Sequence, residues 1–128
     1  MTWPQRLLSV GFVAAGLLHF LRTATYESIM PPYLPAHREL VLISGAAEIA
    51  GGVGVAFAGT RRLAGLWLVA LLVAVFPANV HMALHPDRYT SIPPALLWAR
   101  LPLQGLLIWW ARRATRHASP TAADLVKP

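Results

Sequence analysis

LAGLWLVALLVAVFPANVHMAL, residues 63–84, contains no Asp, Glu, Lys or Arg. A helix rises about 1.5 Å per residue, so a hydrocarbon layer of about 30 Å takes about 20 residues to cross. This run is long enough. It is apolar throughout rather than alternating, which argues against a strand of a membrane barrel. In hydrocarbon every backbone amide must be paired within its own segment, and a helix achieves that.

Three similar runs flank it, at about 6–22, 40–58 and 95–111. The first ends in His19, Phe20 and Leu21 with no small-residue cleavage site, so it reads as a retained helix rather than a signal peptide. Composition agrees: 56% of residues are hydrophobic and 12% charged, against about 25% charged in soluble domains. Four such runs leave too little polar surface for a soluble bundle. The expected fold is all-α: an integral membrane four-helix bundle over residues 1–112, with a flexible cytoplasmic tail over 113–128.

The net charge of +6 does not point to nucleic acid, because the basic residues cluster at the ends of the apolar runs and form no basic face with interleaved aromatics. Their placement instead sets an orientation. Arg6, Arg61, Arg62, Arg112, Arg113, Arg116 and Lys127 fall on one side of a four-span arrangement. Arg22, Arg38, Arg88 and Arg100 fall on the other, offset by Glu27, Glu39 and Asp87. Basic residues are retained on the cytoplasmic side. The expectation is therefore a bacterial inner-membrane protein with both termini cytoplasmic and the lipid bilayer as its first partner. The absence of cysteine excludes thiolate chemistry and disulfides.

Two connecting stretches share their punctuation. YESIMPPYLPAHR (26–38) and YTSIPPALLWAR (89–100) each hold a tyrosine, a Ser-Ile pair, a Pro-Pro pair and then an arginine. A shift of 62 residues carries His19 onto His81, Pro31 onto Pro93 and Arg38 onto Arg100. This pattern suggests two tandem helical hairpins.

Ionisable and amide groups inside a bilayer are costly, about 2.5–3.5 kcal/mol for a charge at the centre, and they normally face a bundle interior. The expected set is His19, Ser44, Glu48, Asn79, His81, Arg100 and Gln104. Ser44 and Glu48 are four apart, as are Arg100 and Gln104, so each pair shares a helix face. Asn79 and His81 are two apart, so at most one looks into a common centre. Glu48 and Arg100 are the expected ion pair. Small residues from Gly45 to Gly54 predict close packing around the helix that bears Glu48. Pro77 and Pro102 should each free a carbonyl beside these groups. His81 and His85 are spaced for one helix face, but no third ligand accompanies them, so no metal is expected. No nucleophile elbow or phosphate loop is present, so a self-contained enzyme is not expected.

Several stretches together resemble the DoxX-like family of small bacterial four-helix membrane proteins. They are GLLHF (16–20), PPYLP (31–35), SGAAEIAGG (44–52), FPANVHMA (76–83) and RLPLQ (100–104), and the resemblance covers roughly residues 5–112. It implies a link to membrane oxidoreductase complexes, since the family takes its name from a subunit tied to thiosulfate:quinone oxidoreduction. Its motif positions fall on His19, Ser44, Glu48, Asn79, Arg100 and Gln104. The function expected is an accessory or quinone-contacting subunit of a membrane redox system, partnered by oxidoreductase subunits, with quinone as the candidate cofactor. Two alternatives stay open: a structural or assembly protein whose polar cluster only fixes packing, and a small transporter.

Overall fold

The computed structural model describes residues 1–116. It is all-helical, with α1 at Trp3–Leu21, α2 at Thr23–Ser28, α3 at His37–Ala56, α4 at Arg61–Leu84 and α5 at Pro94–Thr115, and a 3-10 turn at Pro86–Arg88. The expected runs correspond to α1, α3, α4 and α5. Two boundaries differ. The chain turns a short extra helix, α2, straight after α1, where an irregular loop was expected. Helix α5 runs on to Thr115, so residues 113–115 are helical and not tail. The rest of the expected tail, 117–128, lies outside the described residues.

Three helices, α1, α3 and α4, are long and apolar enough to cross a membrane. Helix α5 is as long but carries Arg100, Gln104, Arg112 and Arg113. Large apolar side chains point outward on all four long helices, among them Val10, Leu17, Ile43, Val53, Val73, Leu103 and Leu106. A water-soluble domain rarely exposes so much contiguous apolar surface.

The helices pack in chain order and antiparallel. Gln5 helps cap α1, its side chain accepting from the Thr2 amide and its own amide donating to Ala114 at the end of α5, 2.9 Å away. The start of α1, the α3–α4 turn and the end of α5 therefore share one end of the molecule, the terminal end. The segments 22–36 and 85–93 share the other, the loop end. There Ile29 of the first connection packs on Met82, Tyr89 and Leu97, and Tyr33 meets His81 edge-on at 5.2 Å. The two similarly punctuated stretches thus touch. The order long helix, short turn, long helix also occurs twice.

Glycine sets the α1–α3 distance. A Cβ on Gly16 would stand 2.5 Å from the Gly45 carbonyl oxygen, and a Cβ on Gly52 would stand 2.8 Å from the carbonyl oxygen of Ser9. The Ser9 hydroxyl donates to the Gly52 carbonyl at 2.7 Å. The two backbones therefore meet directly, as small residues permit where no hydrophobic force drives helices together. Helix α3 turns its other face to α4, where the Trp67 indole donates to the Ala47 carbonyl at 2.9 Å. The small-residue helix is packed on both sides, as the sequence suggested.

Arg61 has a structural role that its sequence position did not reveal. It is buried, 4% exposed, and its Nε donates to the Val55 carbonyl at 2.7 Å. One Nη reaches the Ala56 carbonyl at 3.4 Å. These are the last carbonyls of α3, which have no partner within the helix. Hydrogen bonds from charged groups are worth about 1.5–3 kcal/mol. Arg61→Leu should therefore lower unfolding stability by about 2 kcal/mol, measured by denaturant titration in detergent, with Arg61→Lys recovering only part of it. Equal stability of Arg61→Leu and wild type would show that the cap is idle.

Candidate functional site

A cavity of about 310 Å³ lies between the helices towards the loop end. Its polar wall is His19 from α1, Tyr26 from α2, Ser44 and Glu48 from α3, Asn79 from α4 and Arg100 from α5. Every helix contributes, and five of the seven expected residues line the same space.

The packing described above decides who meets whom. The Gly16–Gly45 approach draws α1 onto α3 and brings His19 up to Glu48, with Nδ1 3.3 Å from Oε2. The same Nδ1 lies 2.8 Å from the Ala15 carbonyl, which accepts a hydrogen bond from it whenever Nδ1 carries a proton. The Glu48 Oε2 is buried and has no hydrogen-bond partner. The His19 ring stacks on Tyr26, with centroids 4.0 Å apart and planes 19° apart. Burial, and next the Glu48 carboxylate, push the Tyr26 phenol above its ordinary pKa, with Arg100 opposing.

The expected Glu48–Arg100 ion pair is not formed. Glu48 pairs instead with His19. Helix α5 packs on α4 rather than on α3, so Arg100 is held across the cavity, where its Nη1 lies 3.6 Å from the Met82 thioether. A thioether is a weak acceptor. A carboxylate oxygen that meets the His19 ring but makes no hydrogen bond and a guanidinium without a strong acceptor thus line the same space.

Gln104 is buried behind the cavity wall rather than lining it, 4% exposed. It accepts from the Asn79 amide at 2.5 Å and donates to the Leu72 carbonyl. Leu72 is next to Val73, whose carbonyl Pro77 deprives of its helical donor. The pair ties α5 to α4 at the proline.

His81 does not reach the cavity. Its ring stacks on His85 at 4.2 Å and meets Tyr33 and Tyr89 edge-on, forming an aromatic group over the loop end. Its spacing of two from Asn79 puts it on a different side of α4, as expected. The shift that relates His19 to His81 therefore repeats the order of elements but not the use of the side chains.

Tyr26 is the wall residue that sequence reasoning missed. It lies in a stretch read as loop, although its spacing of seven from His19 would place both on one face of a continuing helix.

A family model described as "Domain of unknown function (DUF8561)" matches residues 8–115, which takes in nearly all of the four long helices. No curated protein and no solved structure matches the chain.

Proposed function

The chain belongs to the DUF8561 family, and we propose that it is a four-span inner-membrane protein that holds a polar-headed lipophilic ligand, a quinone in the first instance, as an accessory subunit of a membrane redox system. The cavity carries this reading. It sets a carboxylate oxygen with no hydrogen bond and a weakly satisfied guanidinium across about 310 Å³, close to the small end of known ligand pockets. A ring with two oxygens suits those two functions: Arg100 donates to one, and Glu48, when protonated, donates to another.

The fourth span is α5. Its polar residues Arg100 and Gln104 turn inward, while Leu96, Trp98, Leu103, Leu106 and Trp109 face out, as lipid contact requires. The terminal end carries Arg6, Arg61, Arg62, Arg112, Arg113 and Arg116 and is assigned to the cytoplasm. The cavity then opens in the outer half of the bilayer. The redox assignment rests on the resemblance to DoxX-like proteins together with the chemistry of the cavity.

The Asn79–Gln104 pair favours a structural role for one part of the polar set, since both amides are already engaged. A ligand at tenfold excess over its Kd adds about 1.4 kcal/mol of stability. Decylbenzoquinone should raise the melting temperature of the wild type in nanodiscs. Glu48→Gln and Arg100→Leu should lose that rise while melting as cooperatively as the wild type. Variants that melt lower yet keep the full ligand-induced rise would leave the cluster with a packing role alone.

A further inference from the structure

A second cavity, about 290 Å³, lies on the terminal side of the first. Its wall is apolar except at one point. Leu8, Gly11 and Phe12 of α1, Leu72 of α4, and Leu107 and Trp110 of α5 form most of it. Glu48 and Ala15 belong to both cavities. The apolar cavity follows the seam between α1 and α5, whose described hydrogen bond lies at the far end, from Gln5 to Ala114. Gly11 is exposed on this seam, and a Cβ added there would meet nothing within 4 Å.

We infer that the two cavities form one site for a single-tailed amphiphile, with the polar head beside Arg100 and the tail running past Glu48 along the α1–α5 seam towards the terminal end. The inference rests on the ligand-binding reading of the first cavity and adds the ligand's class and direction. Each cavity alone is at or just below the small end of the range of about 300–1,000 Å³ for ligand pockets, whereas the two together fall inside it. An ionised carboxylate gains nothing from an apolar wall. The buried Oε2 of Glu48, which meets the His19 ring but makes no hydrogen bond, stands where the head of such a ligand gives way to its tail. A tail in a bilayer is already out of water, so the seam selects it by packing rather than by hydrophobic transfer. Room at Gly11 is what that packing needs.

The test uses two photoreactive benzoquinones with the same decyl chain, one with a diazirine on the ring and one with it near the chain end. Each is added to the full-length protein in nanodiscs, and labelled peptides are identified by mass spectrometry with and without unlabelled decylbenzoquinone. The ring probe should label around Tyr26, Met82 and Arg100. The chain-end probe should label residues 7–12 and 107–110, and competitor should suppress both. Gly11→Leu should cut chain-end labelling there by about fivefold, the effect of about 1 kcal/mol of overpacking against the tail. Competable ring labelling with the chain-end label on residues 29–36, or spread over lipid-facing positions such as Leu17 and Val73, overturns the tail path and leaves the outer cavity standing. Absence of competable ring labelling overturns the binding reading itself, and the tail path with it.

Discussion

Gly45→Leu should separate α1 from α3 and cost at least the upper part of the usual range of about 1–3 kcal/mol for overpacking. At that position even a Cβ would stand 2.6 Å from the Cβ of His19 and 2.9 Å from the Gly16 carbonyl oxygen. The second neighbour is backbone and cannot rotate away. Gly16→Leu should do the same from the opposite side, since its Cβ would meet the Gly45 carbonyl and the Ile49 side chain. The effect should reach the cavity as well. His19 is three residues beyond Gly16, and its 3.3 Å approach to Glu48 depends on the two backbones touching. A substitution of the same size at Gly105, where an added Cβ meets nothing within 4 Å, should be close to neutral. Unfolding measured in mixed micelles should rank the three variants. Equal stability of Gly45→Leu and Gly105→Leu would show that α1 and α3 do not meet as described.

Gln104→Leu should cost about 3 kcal/mol, because a buried group and a half-buried one each lose their partner, and a buried orphan costs about 1–3 kcal/mol. The amide of Asn79 and the carbonyl of Leu72 are those groups. Interhelical hydrogen bonds measured in membranes average lower, about 0.6 kcal/mol, because the unfolded chain also finds partners. The site beside Pro77 is different in kind, since the helix there already lacks one internal donor. Gln104→Glu tests the donor to Leu72: a protonated carboxyl accepts from Asn79 and donates to Leu72, whereas an ionised one only accepts. It should stay near wild-type stability where the carboxyl is protonated and lose stability as rising pH ionises it. If Gln104→Leu proves as stable as wild type, the α4–α5 seam is held by apolar packing alone.

These two sites show what the sequence could and could not disclose. The long helices were legible because long runs with little charge are what crossing hydrocarbon demands, which holds for α1, α3 and α4, and a run such as 63–84 has few other uses. The polar residues were legible for the same reason: Glu48 and Arg100 stand out against an apolar background. Their pairing was not. Whether Glu48 meets Arg100 or His19 depends on which helices touch, and that is fixed by backbone contacts at Gly16, Gly45 and Gly52. The glycines were visible in the sequence, but the partner that each would admit was not. Tyr26 was lost to a turn at Arg22 that starts a new short helix in place of a loop. Arg61 was read as a mark of orientation because position alone does not show that a guanidinium folds back onto the carbonyls of the preceding helix. The end of α5 was set too early, at the first basic pair, although arginine favours a helix C-terminus and does not stop it.

The central claim is that the polar side chains of this bundle converge on a space shaped for a lipophilic molecule with a polar head. Native mass spectrometry of the protein, released from membranes in mild detergent, addresses it most directly. The wild type should carry a bound species heavier than apo-protein by the mass of one amphiphile, and Arg100→Leu and Glu48→Gln should arrive without it. A wild type that leaves the membrane with no adduct, or with the same lipids as both variants, contradicts the claim.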